Sequence, residues 1–386
     1  MAGARESTRR RRVLHVVSTA VTPRSDARRF LEAVTRHHPD PFRLTTRDAF
    51  EREVERADAQ AASRPDAVCA LMRLGALLAD RNGHSGVFAL DRHRDPLRFY
   101  PLRLFEFEDG VFVVSAGDAG LRGAEVLAVG GVPIASLAAE VEPLIPRDND
   151  STVRARRPGY LVAVEVLEGL GVGGGPFLLR PPRGDPVEVA LEPIPGPEYA
   201  ASVGSSAPLP PASVEWLDEE IILVAYNVTR GETSSLAERI ATLARARLPR
   251  ALILDLRQNG GGDNTTFGPL LRELERQARA ARLLVLTSRL TFSAAMQLVV
   301  ELEQKTDAIF VGEPTGGSPN QFGDAITVEL PATGLLGHVA TIGWETAGPE
   351  DERLTREPDV GVPVRSEDFF CGRDPVLEAA VRAADS

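Results

Sequence analysis

Ser293 stands where an apolar stretch gives way to a helix, in "TSRLTFSAAMQLVVELEQK". Two chemistries suit a serine there. As a helix cap, its hydroxyl would accept a bond from an unpaired N–H of the first turn. As a nucleophile, its Oγ would attack a carbonyl, with the Ala294 N–H at the helix start facing the developing charge. Met296 occupies the position where a capping box would want Glu or Gln. Ala295, Leu298, Val299 and Leu302 repeat at helical spacing, so the helix itself packs on a core. Taken alone, a serine at a helix start speaks for the cap.

A second candidate is Gly260–Gly261–Gly262 in "RQNGGGD". Glycine-rich turns after strands cradle phosphates, make tight turns, or let backbone N–H groups approach an oxyanion. A dinucleotide fingerprint would need glycine at Thr265, and a P-loop would need a Gly-Lys-Ser/Thr ending. Neither is present, which leaves the turn and the oxyanion hole. The six histidines, His15, His37, His38, His84, His93 and His338, form no HExxH-type pair. The cysteines, Cys69 and Cys371, are far apart and suggest neither a disulfide framework nor a zinc spacing. No metal and no other cofactor is expected. Asp255 and Arg257 are taken as structural.

These residues need elements to hold them. The 386 residues are 43% hydrophobic and 26% charged, enough for a full core in a soluble protein of two or three domains. A net charge of −11 argues against nucleic acid as a partner. No apolar run approaches the ~20 residues of a membrane span. Residues 1–25 read as a basic tail; a cytoplasmic protein is expected, with export through a twin-arginine-like start as the alternative. Residues 26–97 are helical in pattern, interrupted at "HHPDPF", and 98–195 read as mostly β, with Asp-Gly and Gly-Gly turns. A proline-rich linker covers 196–213. From 214 to 386 strands and helices alternate, including a capping box at Ser235 and Glu238, which predicts a parallel sheet with crossover helices. Ser293 and the glycine run both follow strands, at the carboxyl ends where α/β sites gather.

In order along the chain, "LLADRNGHSGV", "LILDLRQNGGGD", "TFSAAMQ", "VGEPTGGSPNQFG" and "EPDVGVPV" resemble the tail-specific (C-terminal-processing) serine peptidase family. Its relatives include the tricorn protease core and interphotoreceptor retinoid-binding protein. The resemblance runs from Asp26 onward and implies a crotonase- or ClpP-like α/β core. It also implies that "LRGAEVLAVGGVPI" belongs to an inserted, degenerate PDZ-like β module. Ser293 then aligns with the nucleophile, and Gly260, Gly261 and Ala294 with the oxyanion hole. Many members use a lysine base, but Ser318 fills that position here. Lys305, the only lysine, is twelve residues along the Ser293 helix, roughly 18 Å from its start.

The tricorn-like branch uses a histidine instead, which makes His84 the general base. The same likeness points to Glu345 as the carboxylate that orients it and to Ser85 as a relay hydroxyl. What the resemblance implies is a serine hydrolase acting on a peptide or protein. Two rivals remain: a binder of apolar ligands on the same scaffold, and a hydrolase for small esters or amides. Self-association into a homo-oligomer stays open. An ordinary histidine base would give an acid limb at about pH 6–7.

Overall fold

The computed structural model describes residues 25–89, 93–203, 209–231 and 233–385. The basic stretch that suggested an export signal lies outside them. No helix among the described residues is long and apolar enough to cross a membrane.

The carboxyl-terminal half is built on a six-stranded sheet. Its strands lie in the order Ala212–Trp216, Ile221–Tyr226, Ala251–Asp255, Arg282–Thr287, Ile309–Gly312 and Val360–Gly361. The first pair is antiparallel and every later pair parallel. Ala251 to Leu254 are all buried because both faces of the sheet are covered. Helices Ser234–Ala246, Gly268–Ala278 and Ala294–Lys305 cover one face through side chains such as Ile240, Leu270 and Leu298. Helix Pro375–Asp385 covers the other through Val376, Ala380 and Ala384. The expected mixed α/β fold with a parallel sheet is present. The expected capping box is not. Helix Ser234–Ala246 starts after Thr233, whose hydroxyl donates to the Thr266 carbonyl instead of capping.

The amino-terminal half begins with helices Asp26–His37, Arg47–Gln60 and Arg64–Ala76. The hydroxyls of Ser25, Thr46 and Ser63 cap them, each accepting from an N–H three residues on. An antiparallel sheet follows, in the order Leu102–Phe107, Gly110–Ala116, Glu125–Val129, Phe177–Arg180 and Val187–Val189. Gly130 and Gly131 (φ 56° and 79°) form the expected Gly-Gly hairpin turn, a geometry that side chains resist. The β reading of this region was too broad, because helices Ile134–Val141, Asp150–Tyr160 and Val164–Gly169 interrupt it. Within the proline-rich stretch, Gly196–Ser202 is helical, and Tyr199 stacks on Phe99 at 4.9 Å.

One hydrophobic core joins the first three helices to the antiparallel sheet, through residues such as Phe30, Met72, Val126 and Phe177. Leu330, Leu335 and Val339 from the carboxyl-terminal half complete it. The link is a three-stranded sheet in which Gly86–Val87 pairs with Leu335–Val339, which pairs in turn with Ile326–Leu330. This joint fixes the loop that carries His84.

Candidate active site

Ser293 does not cap its helix. Its backbone has φ 57° and ψ −126°, and its side chain makes no capping bond. A non-glycine residue in that region costs on the order of 1–3 kcal/mol, a strain typical of functional turns. Its Oγ instead lies 3.0 Å from His84 Nε2. Neighbours lock the turn. Phe292 N–H donates to the Asn259 carbonyl at 3.1 Å, and the Gln321 side-chain amide donates to the Ser293 carbonyl at 3.0 Å.

The glycine run packs directly beneath this turn. A Cβ on Gly261 would sit 2.5 Å from Ser293 Cβ and 2.9 Å from the Ala294 nitrogen, and its φ is +98°. Only glycine fits there. Its N–H, however, donates to Asn259 Oδ1 at 3.0 Å. Gly261 is therefore a steric requirement and not an oxyanion donor, which corrects the sequence expectation. The N–H groups of Gly260 and Ala294 have no partner among the described residues. The space around Gly260 is open, and Ala294 begins a twelve-residue helix whose dipole favours negative charge at that end.

His84 sits half-buried on a loop with unusual backbone: Ala79 and Arg81 both have positive φ (56° and 66°). Side chains hold that shape. His38 Nε2 donates to Asn82 Oδ1 at 2.5 Å, since its Nδ1 already accepts from the Asp40 N–H. The Asn82 amide donates to the Leu78 carbonyl. Asp148 accepts from the Gly83 N–H at 2.6 Å, and Arg156 donates to the Gly83 carbonyl at 2.7 Å. The His84 ring stacks on Phe292, with centroids 4.6 Å apart.

Burial, with the nearby Arg156 charge, pushes the His84 imidazole down to about 4; the backbone of Phe322 offsets this in part. Nδ1 is buried and makes no hydrogen bond. The ring is therefore neutral at pH 7, able to accept a proton at Nε2. An acid limb near 4, and not at 6–7, is therefore expected. Burial also pushes the Asp148 carboxyl up, to about 6, against the opposing Ser318 and Gly83 amides and the Arg156 and Arg81 charges.

The proposed relay is not assembled. His84 Nε2 is taken by Ser293, and Nδ1 has no partner. Ser85 Oγ accepts from the Ala340 N–H at 3.0 Å, tying the loop to the neighbouring sheet. Glu345 is exposed to solvent. Ser318, where the resemblance to the family would want a lysine, is buried, with its hydroxyl donating to the Leu354 carbonyl. Lys305 pairs with Glu301 at 2.7 Å, a contact that raises its pKa. A cation held in this way cannot act as a base. Lys305→Arg is expected to keep activity within a few-fold of the parent, and steady-state kinetics that show a loss of 100-fold or more would refute this.

Asn259, Asp148, Arg156 and Gln321 were not singled out from sequence. An Asn bonding to the N–H two residues on is a legible turn signal, so Asn259 could have been found. Arg156, in "VRARRPGY", reads like any surface arginine of a helix. No group of His, Cys, Asp and Glu able to hold a metal occurs among the described residues.

No family model matches the sequence, and no curated protein matches it. Among solved structures the chain is similar to mature CPAF, with a TM-score of 0.61 at 14% identity. That match covers 89% of this chain and 94% of the other. Mature CPAF complexed with lactacystin aligns over 93% of this chain and 98% of its own, with a TM-score of 0.62 at 13% identity. The tricorn protease aligns over 92% of this chain and 36% of its own at 12% identity, but its TM-score of 0.39 carries no weight. Across nearly its whole length, then, this chain has the fold of CPAF.

Proposed function

We propose that this protein is a serine hydrolase that cleaves peptides by acyl transfer. The observation that carries this reading is the 3.0 Å contact between His84 Nε2 and the Oγ of a backbone-strained Ser293. Ser293 Oγ attacks the scissile carbonyl carbon while its proton passes to His84 Nε2. The carbonyl oxygen takes up the negative charge against the Gly260 and Ala294 N–H groups. Collapse breaks the C–N bond, and His84 returns its proton to the leaving amine. Water then attacks the acyl-enzyme, giving its proton to His84, and Ser293 leaves with that proton restored. A binder of apolar ligands would need neither the strained turn nor the histidine contact. Labelling by a fluorophosphonate probe tests the proposal, and a parent protein that takes up no label at neutral pH would refute it.

The finer architecture follows the same reading. The parallel sheet with its three crossover helices on one face is taken as a crotonase/ClpP-like core, and the antiparallel sheet of the amino-terminal half as the PDZ-like module. Such a module captures an extended chain as an added strand at a sheet edge. Peptides with free apolar carboxyl termini are expected to be cut faster than their amidated forms. Equal rates in a paired cleavage assay would remove the module from substrate selection.

A further inference from the structure

We propose that Arg156 is the positioning residue for His84, acting through the backbone of its loop and its stacking ring and not at Nδ1. The inference rests on Ser293 and His84 acting as nucleophile and base.

The geometry is a clamp and a stack. One guanidinium arm of Arg156 donates to the Pro146 carbonyl at 2.6 Å and another to the Gly83 carbonyl at 2.7 Å. The first bond anchors helix Asp150–Tyr160 to the segment before it, and the second holds the residue next to His84. The guanidinium carbon also lies 5.4 Å from the Phe292 ring centroid, and Phe292 is the ring on which His84 stacks. Phe88, on the other element beside the loop, takes the same cation at 4.9 Å. Arg156 thus touches both supports of the imidazole, its backbone and its stacking partner, without touching Ser293.

Its charge acts in the same place. A triad carboxylate orients its histidine and stabilises the imidazolium. Arg156 gives orientation while opposing protonation. Other charged groups face the same loop from its neighbours. Asp148 bonds to the Gly83 N–H, and Arg81, on the loop itself, donates to the Asp351 carbonyl. Asp351 and Glu352 act on Arg81 in turn, whereas the strand Gln321–Gly323 and the pair Phe292–Ser293 carry no charged side chain. With Asp148 rising to about 6, acid removes the negative charge of this group before His84 itself titrates. Arg156 is then the charge that still acts on His84, while Asp351 and Glu352 act on Arg81. A base held this way stays neutral in mild acid, the condition in which an ordinary histidine base is lost.

The test measures the rate of fluorophosphonate labelling from pH 3.5 to 8 for the parent, Arg156→Lys and Arg156→Met. His84 imidazole titration is followed by NMR in the same proteins, assigned against His84→Asn. Arg156→Met removes the charge but not the burial, the larger cause. Its acid limb and its His84 midpoint are expected to rise by about one pH unit. Arg156→Lys keeps the charge but cannot reach both carbonyls in fork geometry. It is expected to keep the parent limb with a plateau about 10-fold lower. An unchanged midpoint in Arg156→Met, or a parental plateau in Arg156→Lys, overturns the proposal. If Arg156→Met does not fold, Arg156→Lys decides. If the parent does not label, the hydrolase reading fails, and the NMR midpoints still decide the role of Arg156.

Discussion

Ser293→Ala is expected to lose turnover by about 10⁴–10⁶-fold, or roughly 5–8 kcal/mol of transition-state stabilisation. The protein should stay folded, because the serine makes no capping bond whose loss would cost the usual ~1 kcal/mol. Alanine carries the same positive-φ strain as serine, so a small shift in melting temperature is expected in either direction. Labelling by a fluorophosphonate should vanish together with activity. A Ser293→Ala protein that still labels, or that loses activity only by unfolding, would remove Ser293 as the nucleophile.

His84→Ala is expected to cost about 10⁴-fold in turnover, the scale of losing one member of a unit that acts together. In the parent, kcat/KM should fall in acid with a midpoint near 4, because burial and Arg156 hold the ring neutral above that pH. A parent limb at 6–7 would mean that the folded site does not depress the base. Stability follows the same linkage. The folded value lies below the unfolded one of about 6.5, so the unfolded chain binds the proton first as pH falls. The contribution of His84 is thus fully present above about 6.5 and is lost on the way down to about 4. Melting curves at pH 7 and 4.5 should show the parent losing more stability than His84→Ala across that interval.

The sheet and its crossover helices were legible because buried parallel strands are apolar on both faces, as in "ALILD", and helices keep a 3.6-residue stripe. Ser293 was legible as a position but not as a conformation: cap and nucleophile have the same letters around them, and only φ 57° separates them. His84 came from likeness to a family. Periodicity says nothing about a histidine whose partner is 209 residues away. Glu345 and Ser85 failed for a related reason. Carrying over a relay assumes that side-chain directions are preserved, yet Ser85 turns to Ala340 and Glu345 to solvent. Gly261 failed more finely: the glycine was needed, but for closeness to Ser293 Cβ and not for its N–H. Arg156 was invisible because its meaning lies in two carbonyls and two rings from other elements.

The joint between the halves bears on how the chain is made. Among the described residues Gly86–Val87, just past His84, pairs only with Leu335–Val339, and the amino-terminal core lacks Leu330, Leu335 and Val339 until that hairpin arrives. During synthesis from the amino end, the base emerges first and the nucleophile some 200 residues later. Even then the loop that aims the base has no strand to rest on until about residue 340 has been made. A nascent chain therefore lacks the strand that holds the His84 loop for nearly the whole of its translation. The His84 loop and the Ser293 turn are thus brought into register by one of the last hairpins of the chain to be made.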